Sequence, residues 1–216
     1  MKRIEIFPLI TTKKQAEAIC GKLSYPSKMP GPAYSIPNSA CKTGGKLREV
    51  KGSVCEKCYA GRNNYLWPAV QQSMTTRLNS LAHPQWIDAI VYLITDSGCL
   101  HFRWHDSGDL QSDAHLEQIC EVARRLPHVG FYLPTKEKAL VKRYLRTKSF
   151  PENLVVRVSA AMIDGDIPDG VPNASVVVRS TKPESNVCPA KQQGNQCGEC
   201  RACWDPRVNV VYYPYH

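Results

Sequence analysis

The sequence lacks any apolar run approaching the ~18 residues of a membrane span, so no spanning helix is expected. It also lacks the apolar stretch of a secretory signal. Met1-Lys2-Arg3-Ile4-Glu5 brings two positive charges, but Glu5 and Pro8 interrupt the short apolar run beside them. Acidic residues are scarce, 19 Asp and Glu against 28 Lys and Arg, for a net charge of +9. The shortage is sharpest in residues 1–62, with four Glu against twelve Lys or Arg, and in residues 124–148, where Glu137 faces eight. A basic face can hold nucleic acid or another anion, or simply keep a protein soluble. Finally, the length creates no need for disulfides, because 216 residues can bury roughly 70% of the unfolded surface in one core. One cytoplasmic domain over residues 1–216, without membrane contact, is the expectation.

What is abundant is cysteine, ten in all. In a reducing compartment, closely spaced cysteines argue for metal or redox chemistry rather than cross-links. The strongest pattern is Cys188-Pro189, then Cys197-x2-Cys200-x2-Cys203-Trp204. Three thiolates at this spacing with a further Cys-Pro resemble a ferredoxin-type run, whereas zinc more often takes two separate C-x2-C pairs. The segment 183–204 has no apolar periodicity and reads as a module that a metal must order. A second group, Cys41-x13-Cys55-x2-Cys58, lies in a Pro, Gly, Ser and Lys-rich loop over residues 25–62. Three cysteines leave a fourth position for Cys188, a histidine or an outside ligand. An open position points to chemistry and a closed one to structure. Cys20, Cys99 and Cys120 lack such spacing, and Cys99 and Cys120 read as small buried hydrophobes.

The first third of the chain reads as irregular, and regular patterning begins at Asn63. Leu66, Val70, Met74, Leu78 and Leu81 recur at helical spacing behind a cap at Asn63 or Asn64. Pro84 opens a second helix, with Trp86, Ile87, Ile90, Val91 and Ile94 on one face and a stop at Ser97-Gly98. A strand over 100–104 comes next, then a helix capped by Ser112 and closed by Pro127. Beyond it lie a strand over 129–133, a helix capped by Thr135, and short strands at 154–158, 175–178 and 208–212. Alternating strands and helices imply right-handed crossovers and a parallel sheet. The units are too few for a closed eight-stranded barrel, so the expected fold is α/β, a partial (β/α) barrel of about five or six mostly parallel strands.

In His101-Phe102-Arg103-Trp104-His105 the side chains alternate, with Leu100, Phe102 and Trp104 under the helices and His101, Arg103 and His105 on the other face. Val155/Arg157/Ser159 and Val177/Arg179 repeat the pattern. Three arginines would then share one cavity and need either an anionic ligand or internal acids such as Asp106, Asp109 or Asp164. The turn Ser107-Gly108-Asp109 ends the first of these strands, where parallel sheets hold their ligands.

Four elements together resemble the bacteriophage gene product eighty-eight family, across roughly residues 34–216. They are Cys58-Tyr59-Ala60, Phe102 to Asp109, Phe131-Tyr132-Leu133-Pro134-Thr135-Lys136, and the closing cysteine run; the terminal His216 also suits that family. The resemblance implies a lineage and, for a phage-encoded chain, the host cytoplasm, but no activity. More widely, the pattern is similar to radical S-adenosylmethionine (SAM) enzymes, which place a three-cysteine loop and then a Gly-Gly-Glu turn on a partial barrel. Here Ser107-Gly108-Asp109 takes the place of that turn, and the wide gap from Cys41 to Cys55 departs from the C-x3-C-x2-C spacing.

The expectation is therefore a protein holding one or two 4Fe-4S clusters, one at an open site that could take SAM. His105, Arg103, Arg157, Arg179, Ser107, Gly108 and Asp109 would line the cavity and hold an anionic small molecule. The alternative is a nucleic-acid-binding protein with structural iron–sulfur or zinc sites, using the basic loop and Lys136–Lys148 on phosphates.

Overall fold

A computed structural model describes residues 8–179 and 186–215. The basic N-terminal stretch Met1–Glu5, residues 183–185 of the C-terminal cysteine module, and His216 lie outside the described residues.

The chain runs α1 (Lys13–Cys20), β1 (Ala33–Tyr34), α2 (Thr43–Leu47), α3 (Pro68–Ser80), α4 (Trp86–Ser97), β2 (His101–Trp104), α5 (Asp113–Arg125), β3 (Gly130–Thr135), α6 (Lys138–Leu145), β4 (Leu154–Ser159), β5 (Asn173–Val178) and β6 (Val210–Pro214). All six strands lie in one sheet in the order β1-β2-β3-β4-β5-β6, each parallel to the next. This is the strand order of a barrel that stays open: among the described residues β6 does not return to β1. Right-handed crossovers in sequential order put the helices on one face and leave the other to be covered by loops. No helix among the described residues is long and apolar enough to cross a membrane.

The helix-side core obeys the strand alternation. Phe102, Trp104, Phe131, Leu133, Leu154, Val156 and Val158 all face it and are buried. Rings interlock there, with Phe102 against Trp104 at 4.9 Å and Trp86 against Trp104 at 5.9 Å. Tyr34 of β1 joins them, donating its hydroxyl to the Cys20 carbonyl at 2.5 Å and accepting from Trp86 Nε1 at 3.1 Å. Leu100, expected on this face, lies just before β2 and is 65% exposed.

Local signals held where capping chemistry was explicit. Ser112 accepts from the His115 amide at 3.1 Å and starts α5, and Gly98 ends α4 at φ 64. They failed where a polar residue was assigned to the wrong turn. Asn63 and Asn64 sit in a separate 3-10 turn, and α3 starts at Pro68, with Leu66 left exposed. Pro84 precedes α4 by a turn rather than opening it. Thr135 ends β3, and α6 begins only at Lys138. In the supposedly irregular first third, α1 forms on a capping box of Thr12 and Gln15. It escapes periodicity because it buries only Ala16 and Cys20.

One backbone contact fixes the end of β2. The Ile36 amide donates to the Ser107 carbonyl at 3.1 Å, pressing the chain after β1 on to the turn at Gly108. A Cβ on Gly108 would stand 2.3 Å from Ile36 Cγ1 and 2.7 Å from its carbonyl oxygen, at a φ of +84. Gly108→Ala is expected to destabilise the fold by about 1–3 kcal/mol, the cost of overpacking, lowering Tm by several degrees. Thermal unfolding monitored by circular dichroism checks this, and an unchanged Tm would show that the turn can relax.

Candidate functional site

The cysteine loop lies over the carboxyl ends of the strands. Val54 N donates to Ala161 O at 2.9 Å beyond β4, Tyr65 Oη donates to Asp106 Oδ2 at 2.9 Å beyond β2, and Tyr59 Oη donates to the Asp106 carbonyl. Cys41 and Cys55 flank Gly44, where a Cβ would meet Cys41 Cβ at 3.3 Å and Cys55 Sγ at 3.5 Å. The short helix α2 between them is held by Glu137, whose carboxylate accepts from Thr43 N at 2.8 Å and Thr43 Oγ1 at 2.9 Å. Burial pushes the Cys41 thiol up to about 12, Asp109 adds to this, and Arg48 opposes it. Burial also raises Cys55, against the pull of Lys136 and Arg48, while Cys58 adds to the rise in both. The three thiols are thus neighbours, partly buried and flanked by cations.

Asp109 stands beside this group but is occupied by the protein. Oδ1 accepts from Leu110 N at 2.7 Å and Thr135 Oγ1 at 2.5 Å, and Oδ2 accepts from Lys136 N at 2.8 Å. These bonds clamp the end of β2 to the end of β3. Burial outweighs them and lifts the carboxyl to about 6. Gly108 makes room for Ile36, and Ser107 Oγ is buried without a partner.

The C-terminal cysteines cover the helix-free face. Cys188 N donates to Tyr212 O and Cys197 N to Lys28 O, each at 2.8 Å. Trp204 donates Nε1 to the Phe102 carbonyl at 3.0 Å and packs edge-on against His101 and Tyr132. Cys203 Sγ lies 3.0 Å from Tyr213 Oη, which lies 3.0 Å from Tyr132 Oη. Burial raises the Cys197 and Cys203 thiols, and Cys188 adds to both, so Cys188 stands with this group rather than with the loop. Among the described residues, no group of three or more Cys, His, Asp or Glu side chains is arranged to hold a metal ion.

The three arginines do not share a cavity. Arg157 is fully buried, and its donors go to backbone carbonyls, including Ala202 and Asp205 from Nη2 at 2.8 and 2.9 Å and Val208 from Nη1 at 2.7 Å. It fastens the C-terminal module to β4, so protein contacts as well as any metal order that segment. Arg179 pairs with Asp164 at 3.0 Å near the surface. Only Arg103 remains between the two cysteine groups. It donates to Tyr59 Oη at 3.5 Å on one side, stacks over Tyr132 at 5.5 Å on the other, and its charge eases ionisation of Cys197 and Cys203. His105 leaves this face altogether: at φ 55 the alternation breaks, and its ring lies 5.3 Å from His115 on α5. The sequence reading gave no place to Tyr213 or His115, named Tyr59 and Tyr132 only within family motifs, and put Lys136 on phosphates rather than beside Cys55. Only Tyr59, adjacent to Cys58, carried a local signal.

Two outcomes are expected of these buried groups. Arg157→Lys leaves several buried carbonyls without donors and should destabilise the C-terminal module by roughly 2–4 kcal/mol. Faster proteolytic nicking within residues 186–204 would report it, and wild-type resistance would contradict it. The buried histidines set an acid limit. Burial pulls His105 well below its ordinary value and His115 down to about 3. The unfolded chain therefore binds more protons from about pH 6.5 downward, so their contribution is full above that pH and is lost toward pH 3. His115→Gln should flatten the fall of the urea midpoint between about pH 6.5 and 4. An equal slope in both proteins would exclude His115 as the group responsible.

Comparison with known proteins gives lineage but no activity. No curated protein and no solved structure matches the chain. The family model described as Gene product 88 matches residues 9–206, which include both cysteine groups and all six strands but for β6. The chain belongs to the Gene product 88 family of bacteriophage proteins.

Proposed function

We propose that this chain is an iron–sulfur protein with two sites on one open α/β sheet. Cys41, Cys55 and Cys58 would ligate one 4Fe-4S cluster, and Cys188, Cys197, Cys200 and Cys203 a second. The observation that carries the reading is that seven free thiols fall into two groups, each closely spaced in sequence, with cations acting on thiols of each. A cluster with thiolate ligands is an anion, and Arg48, Lys136, Lys28 and Arg103 are placed to offset its charge. Burial that raises the Cys41, Cys55, Cys197 and Cys203 thiols suits ligands that lose their protons on binding metal, rather than exposed nucleophiles. The Cys197-x2-Cys200-x2-Cys203 spacing with a further Cys188-Pro189 favours a four-iron cluster over zinc, which more often takes two separate C-x2-C pairs. A bound cluster supplies one-electron chemistry.

The loop group has three cysteines, so its fourth position would fall to another ligand. SAM is the candidate drawn from the wider resemblance. Asp109 would not take its amine, because Thr135, Leu110 and Lys136 already engage both carboxylate oxygens. Arg103 and the unpartnered Ser107 hydroxyl are the polar groups left near the opening.

Anaerobic purification and then iron, sulfide and zinc analysis test the reading. About eight iron atoms and eight sulfides per chain are expected for two such clusters, and stoichiometric zinc without sulfide would refute it. Cys200→Ser should leave insoluble protein or half the iron, since metal binding contributes folding energy. Addition of SAM to the reduced protein should shift the electron paramagnetic resonance signal that Cys55→Ser removes. A signal indifferent to SAM would restrict the loop cluster to structure or electron transfer.

A further inference from the structure

The two basic regions of the sequence have opposite fates in the fold. Of the eight basic residues between 124 and 148, six are paired with carboxylates: Arg124, Arg125, Lys138, Lys142, Arg143 and Lys148. That face is neutralised by Glu117, Glu121, Asp88, Asp113 and Asp169. The cysteine loop is different. Lys42, Lys46, Arg48, Lys51, Lys57 and Arg62 have no ion-pair partner among the described residues, and all but Arg48 are exposed. The loop's two acids do not offset them, and Glu56 is spent on the Gly52 amide at 2.7 Å.

The same stretch exposes aromatic surface. Trp86 and Trp104 are fully buried and Trp204 is packed, but Trp67 is 59% exposed, beside Leu66 at 59% and close in sequence to Tyr59 at 55%. Pro68, at the first turn of α3, restricts the backbone of Trp67, which lies in an extended conformation. Tyr59 is held by its bond to Asp106 and its edge contact with Tyr65 at 5.7 Å. Exposed aromatic faces among unpaired cations are the combination that holds an unpaired strand, whose phosphates meet the cations while its bases stack. A duplex hides the base faces and would leave Trp67 without a role.

We infer that residues 42–67 form a binding surface for single-stranded nucleic acid, lying across the mouth of the Cys41/Cys55/Cys58 site. The surface uses Lys51, Lys57 and Arg62 on phosphates and Trp67 on a base. It does not depend on what the cysteines hold, and it excludes the 124–148 face that the charge count alone also offered.

The test is fluorescence anisotropy on the anaerobically purified full chain with labelled single strands of about 15 nucleotides and a duplex of equal length. Affinity for the single strand should fall with salt at about 0.7 log unit per log unit of salt for each phosphate neutralised. Lys51→Glu/Lys57→Glu/Arg62→Glu should flatten that slope by about 2. Trp67→Ala should weaken binding at least about fivefold, the worth of one stacked base, with the slope unchanged. Lys142→Glu, on the neutralised face, should change neither. Circular dichroism of each variant confirms folding, which these exposed positions do not control. No binding even at about 50 mM salt overturns the inference. So does binding indifferent to both loop variants, which would place it elsewhere on the protein, or a duplex preference with Trp67→Ala silent, which would leave a general polyanion surface.

Discussion

Six parallel strands taken in sequence order place their crossover helices on one side, so the opposite side of the sheet has to be covered by something else. In this chain the two cysteine-bearing segments cover it, and much of the rest depends on that arrangement. Arg157 is the fastening. A guanidinium carries five donors and cannot shed its charge, so its burial is tolerable only where carbonyls surround it. The C-terminal segment supplies them from Ala202, Cys203, Asp205 and Val208. Once that segment is fixed, Trp204 covers the start of β2 and β3, and Cys203 meets Tyr213.

At the other end of the strands, Asp109 plays a comparable part. It ties the end of β2 to the end of β3, and Glu137, two residues beyond β3, reaches back to hold α2 in the loop. The loop cysteines thus inherit their placement from the sheet through two carboxylates, neither of which is left free. Arg103 lies between the two cysteine groups, touching the tyrosine after Cys58 and the ring of Tyr132, whose hydroxyl meets that of Tyr213 beside Cys203. If both groups hold clusters as proposed, this residue is the shared cation between them.

Charge obeys the same division between framework and loop. On the framework helices, basic residues meet acids from neighbouring elements, as Arg143 of α6 meets Asp113 of α5 and Arg125 of α5 meets Asp88 of α4. Such exposed pairs are individually worth little, but together they remove a positive face. Among the described residues no acid pairs with the loop's cations, and Glu137, which reaches the loop, is spent on Thr43, so the charge stays outward.

How far the sequence could be read depended on the range of the interaction involved. Caps and stops are decided within a few residues, so Ser112 and Gly98 were legible, as were the strand alternation and the parallel α/β order. Cysteine spacing likewise separated the two groups, since residues that share a loop are kept near one another by the chain itself. The fates of charged and polar side chains were decided elsewhere. Whether Arg157 met an anion or carbonyls depended on residues about 45 positions away, and whether the 124–148 face stayed basic depended on acids on other elements. His105 was misplaced because a positive φ, held by packing against β1 and α5, reversed the alternation at the last residue of the run. The sequence by itself determined the alternating α/β order and the two cysteine groupings. Only the tertiary structure decided which charges are spent inside the protein, because a buried donor or acceptor takes whatever partner the packing brings to it, however distant in the chain.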